Sequence, residues 1–93
     1  MSKSDIAIKI RGQHRGQTKW TNIYPTEEAL LADLGRVTIP QDRTAPANTF
    51  RGYEYIYSFA FYLQKGWKLS EKQVEQAKRL ALEIKIANAI EEE

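Results

Sequence analysis

The chain of 93 residues contains no cysteine and a single histidine. Without thiols there is no disulfide framework and no thiolate nucleophile, and a zinc site built on Cys and His lacks its ligands. Covalent catalysis through a hydroxyl needs an activating base, usually an imidazole held by a third group. His14 is the one imidazole, and it sits in Gly12-Gln13-His14-Arg15-Gly16, a glycine- and arginine-flanked loop rather than a nucleophile elbow. Those two glycines lack the further glycine and the strand-to-helix setting of a phosphate-binding fingerprint. Long apolar runs are missing as well. Tyr55 to Leu63 is the longest nearly apolar stretch, far short of the roughly 20 residues that span a bilayer. The start, Met1-Ser2-Lys3-Ser4-Asp5, has no apolar signal-peptide run. The carboxylate groups at Glu27-Glu28 and Glu91-Glu92-Glu93 are accounted for by a helix N-terminus and a solvated tail. These absences lead to the expectation of a cytoplasmic, non-enzymatic protein without metal, cofactor or membrane partner.

What is present is ordinary globular material. Apolar residues make up 42% and charged residues 28%, enough apolar surface to offset the entropy of ordering a chain. The length fits one domain covering residues 1–93. Net charge is only +2, but it is placed unevenly. Lys3, Lys9, Arg11, Arg15 and Lys19 face one acid, Asp5, in the first 23 residues, whereas Glu27, Glu28, Asp33 and Asp42 outweigh Arg36 and Arg43 in residues 24–50. An electrostatic function would therefore have to be built at the N-terminal end.

Ile6, Ile8 and Ile10 alternate with Ala7 and Lys9, a period of two that predicts a half-buried strand. Lys19-Trp20-Thr21-Asn22-Ile23-Tyr24 is rich in strand formers and reads as its hairpin partner across the Gly12 to Gly16 loop. Thr26 can cap a short helix with Glu27 and Glu28 in its first turn, Ala29, Leu30, Leu31 and Leu34 on its buried face, and Gly35 just past its end. Arg36-Val37-Thr38-Ile39 can return as a third strand. Residues 40–49, with two prolines and no periodicity, form the loop between a β-containing half, 1–39, and a helical hairpin, 50–90. Asn48 or Thr49 can cap the first hairpin helix, which runs to about Gln64 and stops at Gly66. Ser70-Glu71-Lys72-Gln73 is a capping box. It opens a last helix whose stripe is Val74, Ala77, Leu80, Ala81, Ile84, Ala87 and Ile90. The fold expected is α+β, with the small sheet packed on the antiparallel αα-hairpin.

Three features suit binding. Arg11, His14, Arg15 and Lys19 beside Trp20 make a basic hairpin able to meet phosphates and to stack on a base. The aromatic helix carries Tyr53, Tyr55, Tyr57, Phe59, Phe61 and Tyr62, too many rings for one thin core, and tyrosine suits interfaces. Trp67, between Lys65 and Lys68, either packs back on Leu63 or Leu69 or forms a cationic aromatic tip. The expected function is a protein-binding module using Tyr53, Tyr55, Tyr57, Phe61, Tyr62 and Trp67, an arrangement compatible with a homodimer. The alternative is nucleic-acid binding through Arg11, His14, Arg15, Lys19 and Trp20.

Residues 59–82, in which an aromatic helix ends at a glycine before Gly66-Trp67-Lys68-Leu69-Ser70-Glu71-Lys72-Gln73 and a second amphipathic helix, resemble a pattern in small, mostly uncharacterised phage accessory proteins. The resemblance covers about a quarter of the chain and implies an origin more than an activity. By that resemblance the partner would be host machinery, such as a complex that the protein modulates or inhibits, or nucleic acid.

Overall fold

A computed structural model describes residues 3–16, 19–42 and 52–92. Among them every regular element is helical. Helix α1 spans Lys3–Gln13, a 3-10 turn spans Trp20–Asn22, and α2 spans Glu27–Gly35; α3 spans Tyr53–Gln64, α4 Glu71–Arg79 and α5 Ala81–Glu92. The α+β expectation is therefore corrected: no described residue lies in a strand.

The first correction concerns the isoleucines. A period of two over five residues also contains an i,i+4 pair, and that pair is what the fold uses. Ile6, Ala7 and Ile10 are buried on α1, whereas Ile8 is 59% exposed. A strand would have placed all three isoleucines together and turned Ala7 away. Asp5 in the first turn and Arg11 in the last complement the helix dipole. The second expected strand is instead the 3-10 turn, closed by the Tyr24 amide donating to the Trp20 carbonyl at 2.8 Å. The third, Arg36 to Ile39, is irregular but tied down. Gln64 Nε2 donates to the carbonyls of Gly35 and Val37 at 3.2 and 2.8 Å, a side-chain substitute for strand pairing.

Helix α2 starts where its cap predicts, with Thr26 Oγ1 accepting from the Ala29 amide at 3.1 Å. Its last residue is Gly35, and Arg36, with φ −87°, is the C-cap, so Gly35 is not the left-handed residue that the sequence suggests. The cap of α3 is Gly52, at φ +116°. A Cβ there would stand 2.8 Å from Leu80 Cδ2, so glycine is required both by conformation and by space. Asn48 and Thr49, expected to cap this helix, lie outside the described residues, as do most of the 40–49 loop and Glu93.

The capping box forms as expected, with the Ser70 amide donating to Gln73 Oε1 at 2.8 Å and the Gln73 amide to Ser70 Oγ at 3.2 Å. The single last helix does not continue, however. Leu80, at φ −101° and ψ 13°, ends α4, and α5 starts at Ala81. The division has a packing correlate. Helix α4 is polar except for a narrow stripe, whereas α5 buries Ala81, Ile84, Ile86, Ala87 and Ile90 on several sides, the pattern of a central helix. One side of α5 meets α1, and the other meets α2. The main core contains Leu30, Leu34, Val37, Ile56, Ala60, Ala77 and Ile84, all essentially inaccessible to solvent. A smaller cluster of Ile6, Ala7, Ile10, Ile86 and Ile90 joins α1 to α5.

Candidate functional site

The aromatic residues of α3 divide between two environments, and helical geometry decides which goes where. Tyr53, Ile56, Tyr57 and Ala60 follow i,i+3/i+4 spacing and are buried. Tyr53 donates its hydroxyl to the Glu83 carbonyl at 3.1 Å and meets the Tyr57 ring edge-on at 5.7 Å. Burial and the nearby acid push the Tyr53 hydroxyl well above the ordinary tyrosine range. Tyr53 and Tyr57, expected at a protein-binding surface, are core residues. Tyr55 and Tyr62 emerge on the opposite side, at 54% and 36% exposure, and Trp67 at 54%. Phe61 is half-buried between them.

The exposed rings are held by the backbone that ends α3. The Gly66 amide donates to the Leu63 carbonyl at 3.0 Å and the Trp67 amide to the Tyr62 carbonyl at 2.9 Å, with Gly66 at φ +80°. This is a Schellman closure, in which the residue after the glycine normally touches the residue that accepts its amide. Here that contact is aromatic. Trp67 meets Tyr62 edge-on at 5.4 Å and Phe61 at 6.1 Å, so it packs back on the rings of α3. Lys65 Nζ stands 5.4 Å from the Phe61 ring centroid, within cation–π range. Along the helix, Tyr55 and Phe59 form another tilted pair at 6.2 Å. The result is an exposed aromatic surface on α3 and its C-terminal turn, with Lys65 and Lys68 exposed at one end and Glu54 exposed at the other.

The expected basic hairpin does not exist as a hairpin, and the fold disperses its residues into other roles. Arg11 is a structural clasp: its Nη2 donates to both carboxylate oxygens of Glu83, at 3.1 and 3.0 Å, with Glu83 only 4% exposed. Trp20 is half-buried, with Lys78 Nζ at 5.0 Å from its ring centroid. Lys78 also bridges Glu27 at 2.9 Å and Glu75 at 3.3 Å, and its pKa is raised, first by the hydrogen bond it donates to Glu27. His14 is half-buried, while Arg15 and Lys19 remain exposed on the segment after α1.

Several internal polar contacts have no local signal in the sequence. Tyr24 donates its hydroxyl to Asp33, whose other oxygen takes Arg36 Nη1 at 3.1 Å. Burial, then this hydrogen bond, pushes the Tyr24 hydroxyl well above its ordinary range. Asn88 Nδ2 donates to the Asp33 carbonyl at 2.7 Å. Glu83 and Asn88 did carry a signal: each is a polar residue set in an otherwise apolar run, Ala81 to Ile90, where burial requires a partner. An open groove of about 860 Å³ also runs along α4, lined by Glu27, Leu69, Lys72, Val74 and Arg79 among others. It mixes acids with bases and points to no single ligand chemistry. Among the described residues no three His, Cys, Asp or Glu side chains gather as a metal site would need, and no helix is long and apolar enough to cross a membrane.

No family model, curated protein or solved structure matches the chain.

Proposed function

We propose that the chain is a protein-binding module that docks its partner on the outer face of α3 and the Trp67 turn. The observation that supports this reading most is the placement of Tyr55, Tyr62 and Trp67. Large amphipathic rings are left in water, yet Tyr62 and Trp67 are fixed by an edge-to-face contact and a closed helix terminus, and Tyr55 by a tilted contact with Phe59. Rings presented in this way lose little conformational entropy on binding, which is why tyrosine and tryptophan dominate the energetic centres of interfaces.

A photo-crosslinking amino acid placed at Tyr62 in expressing cells, compared with one at Lys9, exposed on α1, tests this. The expected result is a discrete protein adduct at Tyr62, reduced by Trp67→Ser. Equal adducts at both positions, or none at Tyr62, would sink the reading. The nucleic-acid alternative has less to stand on, because Arg11 is engaged with Glu83 and Trp20 lies against Lys78. Its remaining exposed cations, Arg15 and Lys19, are few for a phosphate-tracking surface.

A further inference from the structure

The outer face of α3 is complementary to itself, and we propose that the partner it docks is a second copy of this chain, α3 against α3, antiparallel about a two-fold axis. This inference rests on the reading of that face as a docking surface. Helical spacing sets out two edges. Glu54, Ser58, Phe61 and Lys65 follow one edge, and Tyr55 and Tyr62 follow the other. In a two-fold antiparallel pair each edge meets its own copy. On the first edge, Glu54 of each copy then faces Lys65 of the other, twice, because the acid lies in the first turn and the lysine at the C-cap. On the second edge, Tyr55 of each copy lies within about half a turn of Tyr62 of the other. Ser58, small and half-buried, leaves room between the edges for the helices to approach.

A parallel two-fold pair would instead set the Glu54–Lys65 edge of each copy against the Tyr55–Tyr62 edge of the other and leave both charges without an opposite partner, so the charges favour the antiparallel arrangement. The same arrangement opposes the two helix dipoles. Tyr55 and Tyr62 would bury their rings and keep their hydroxyls at the rim. One helix pair buries less than the ~1,600 Å² of a standard interface, so association should be weak and concentration-dependent.

Sedimentation equilibrium of the full chain up to about 500 µM, a range suited to an interface below standard size, tests the proposal. The wild type should dimerise, and Tyr62→Arg should abolish the dimer. Glu54→Lys and Lys65→Glu should each weaken association about tenfold by setting like charges opposite each other at two places. The double variant E54K/K65E should recover most of it. Circular dichroism of each variant separates lost pairing from lost folding, since all three positions are solvent-exposed. A monomer throughout the range overturns the self-pairing and leaves the docking surface to be judged by the crosslink at Tyr62. A dimer indifferent to Tyr62→Arg and to both charge reversals overturns the self-pairing and the docking face together. A dimer lost in Tyr62→Arg but not recovered by the double charge swap overturns the antiparallel register.

Discussion

The two sides of α5 are built by different means. Toward α2 and α3 it shares a continuous apolar core in which Leu30, Leu34, Ile56 and Ile84 are fully buried. Toward α1 it offers a small cluster of Ile86 and Ile90 against Ile6, Ala7 and Ile10, supplemented by the Arg11–Glu83 ion pair. Each isoleucine buried on either side stabilises by roughly 1.5–3 kcal/mol, but α1 supplies only two of them. Elements held by few apolar contacts open locally at free energies below the global value. Helix α1 is thus the piece expected to come away first, and the core around Ile84 the last to loosen.

The sharpest way to break this comparison is to remove equal side chains from the two sides. Ile56→Ala should cost about 3–4 kcal/mol in chemical denaturation, because the surrounding core cannot collapse around the cavity. Ile6→Ala should cost less globally and abolish amide-exchange protection mainly within α1. Uniform loss of protection across α1, α3 and α5 in Ile6→Ala would show that α1 is not a separate unit.

The ion pair allows a finer cut. Removing one member of a fully buried pair costs about 3–5 kcal/mol, and the 29% exposure of Arg11 lets water offset part of that, so Glu83→Ala should cost about 2 kcal/mol. Arg11→Met combined with Glu83→Leu should regain most of the loss, since apolar pairs of similar volume often replace buried ion pairs without penalty. A double variant as unstable as Glu83→Ala would mean that the charges themselves, and not the filled space, hold α1 in place.

The smallest effect expected is on alkaline stability, and it belongs to the larger core. Burial raises the hydroxyl pKa of Tyr24, Tyr53 and Tyr57 above the ordinary value of 10.0. The unfolded chain therefore releases protons above about pH 10 that the folded chain retains, so stability is complete below that pH and falls as pH rises beyond it. Tyr53→Phe should make this decline shallower while costing about 1 kcal/mol at neutral pH for the lost bond to the Glu83 carbonyl. Thermal melts from pH 7 to about pH 11 would read both changes, and an unchanged alkaline slope would place the effect elsewhere.

Much of the fold from Thr26 onward was legible because its signals are local. The capping box at Ser70, the Thr26 cap and the glycine stop at Gly66 each act within a few residues, and each forms as its chemistry predicts. The N-terminal segment was misread because five residues of alternating isoleucine satisfy a strand period while also holding the Ile6–Ile10 helical pair. Only the presence of the α5 face beside Ala7 selects between them. The break at Leu80 was invisible for a related reason, since no proline or glycine marks it.

The candidate site shows the same division. The sequence alone determined that α3 carries more rings than a thin core can cover, and that a glycine ends the helix before Trp67. Only the tertiary structure decided that Tyr53 and Tyr57 turn inward while Tyr55, Tyr62 and Trp67 remain in water, and that Arg11 spends its charge on Glu83. Caps and stops are settled by hydrogen bonds between near neighbours in the chain. Which face is covered, and which cation is engaged, depends on residues tens of positions away that only packing brings within reach.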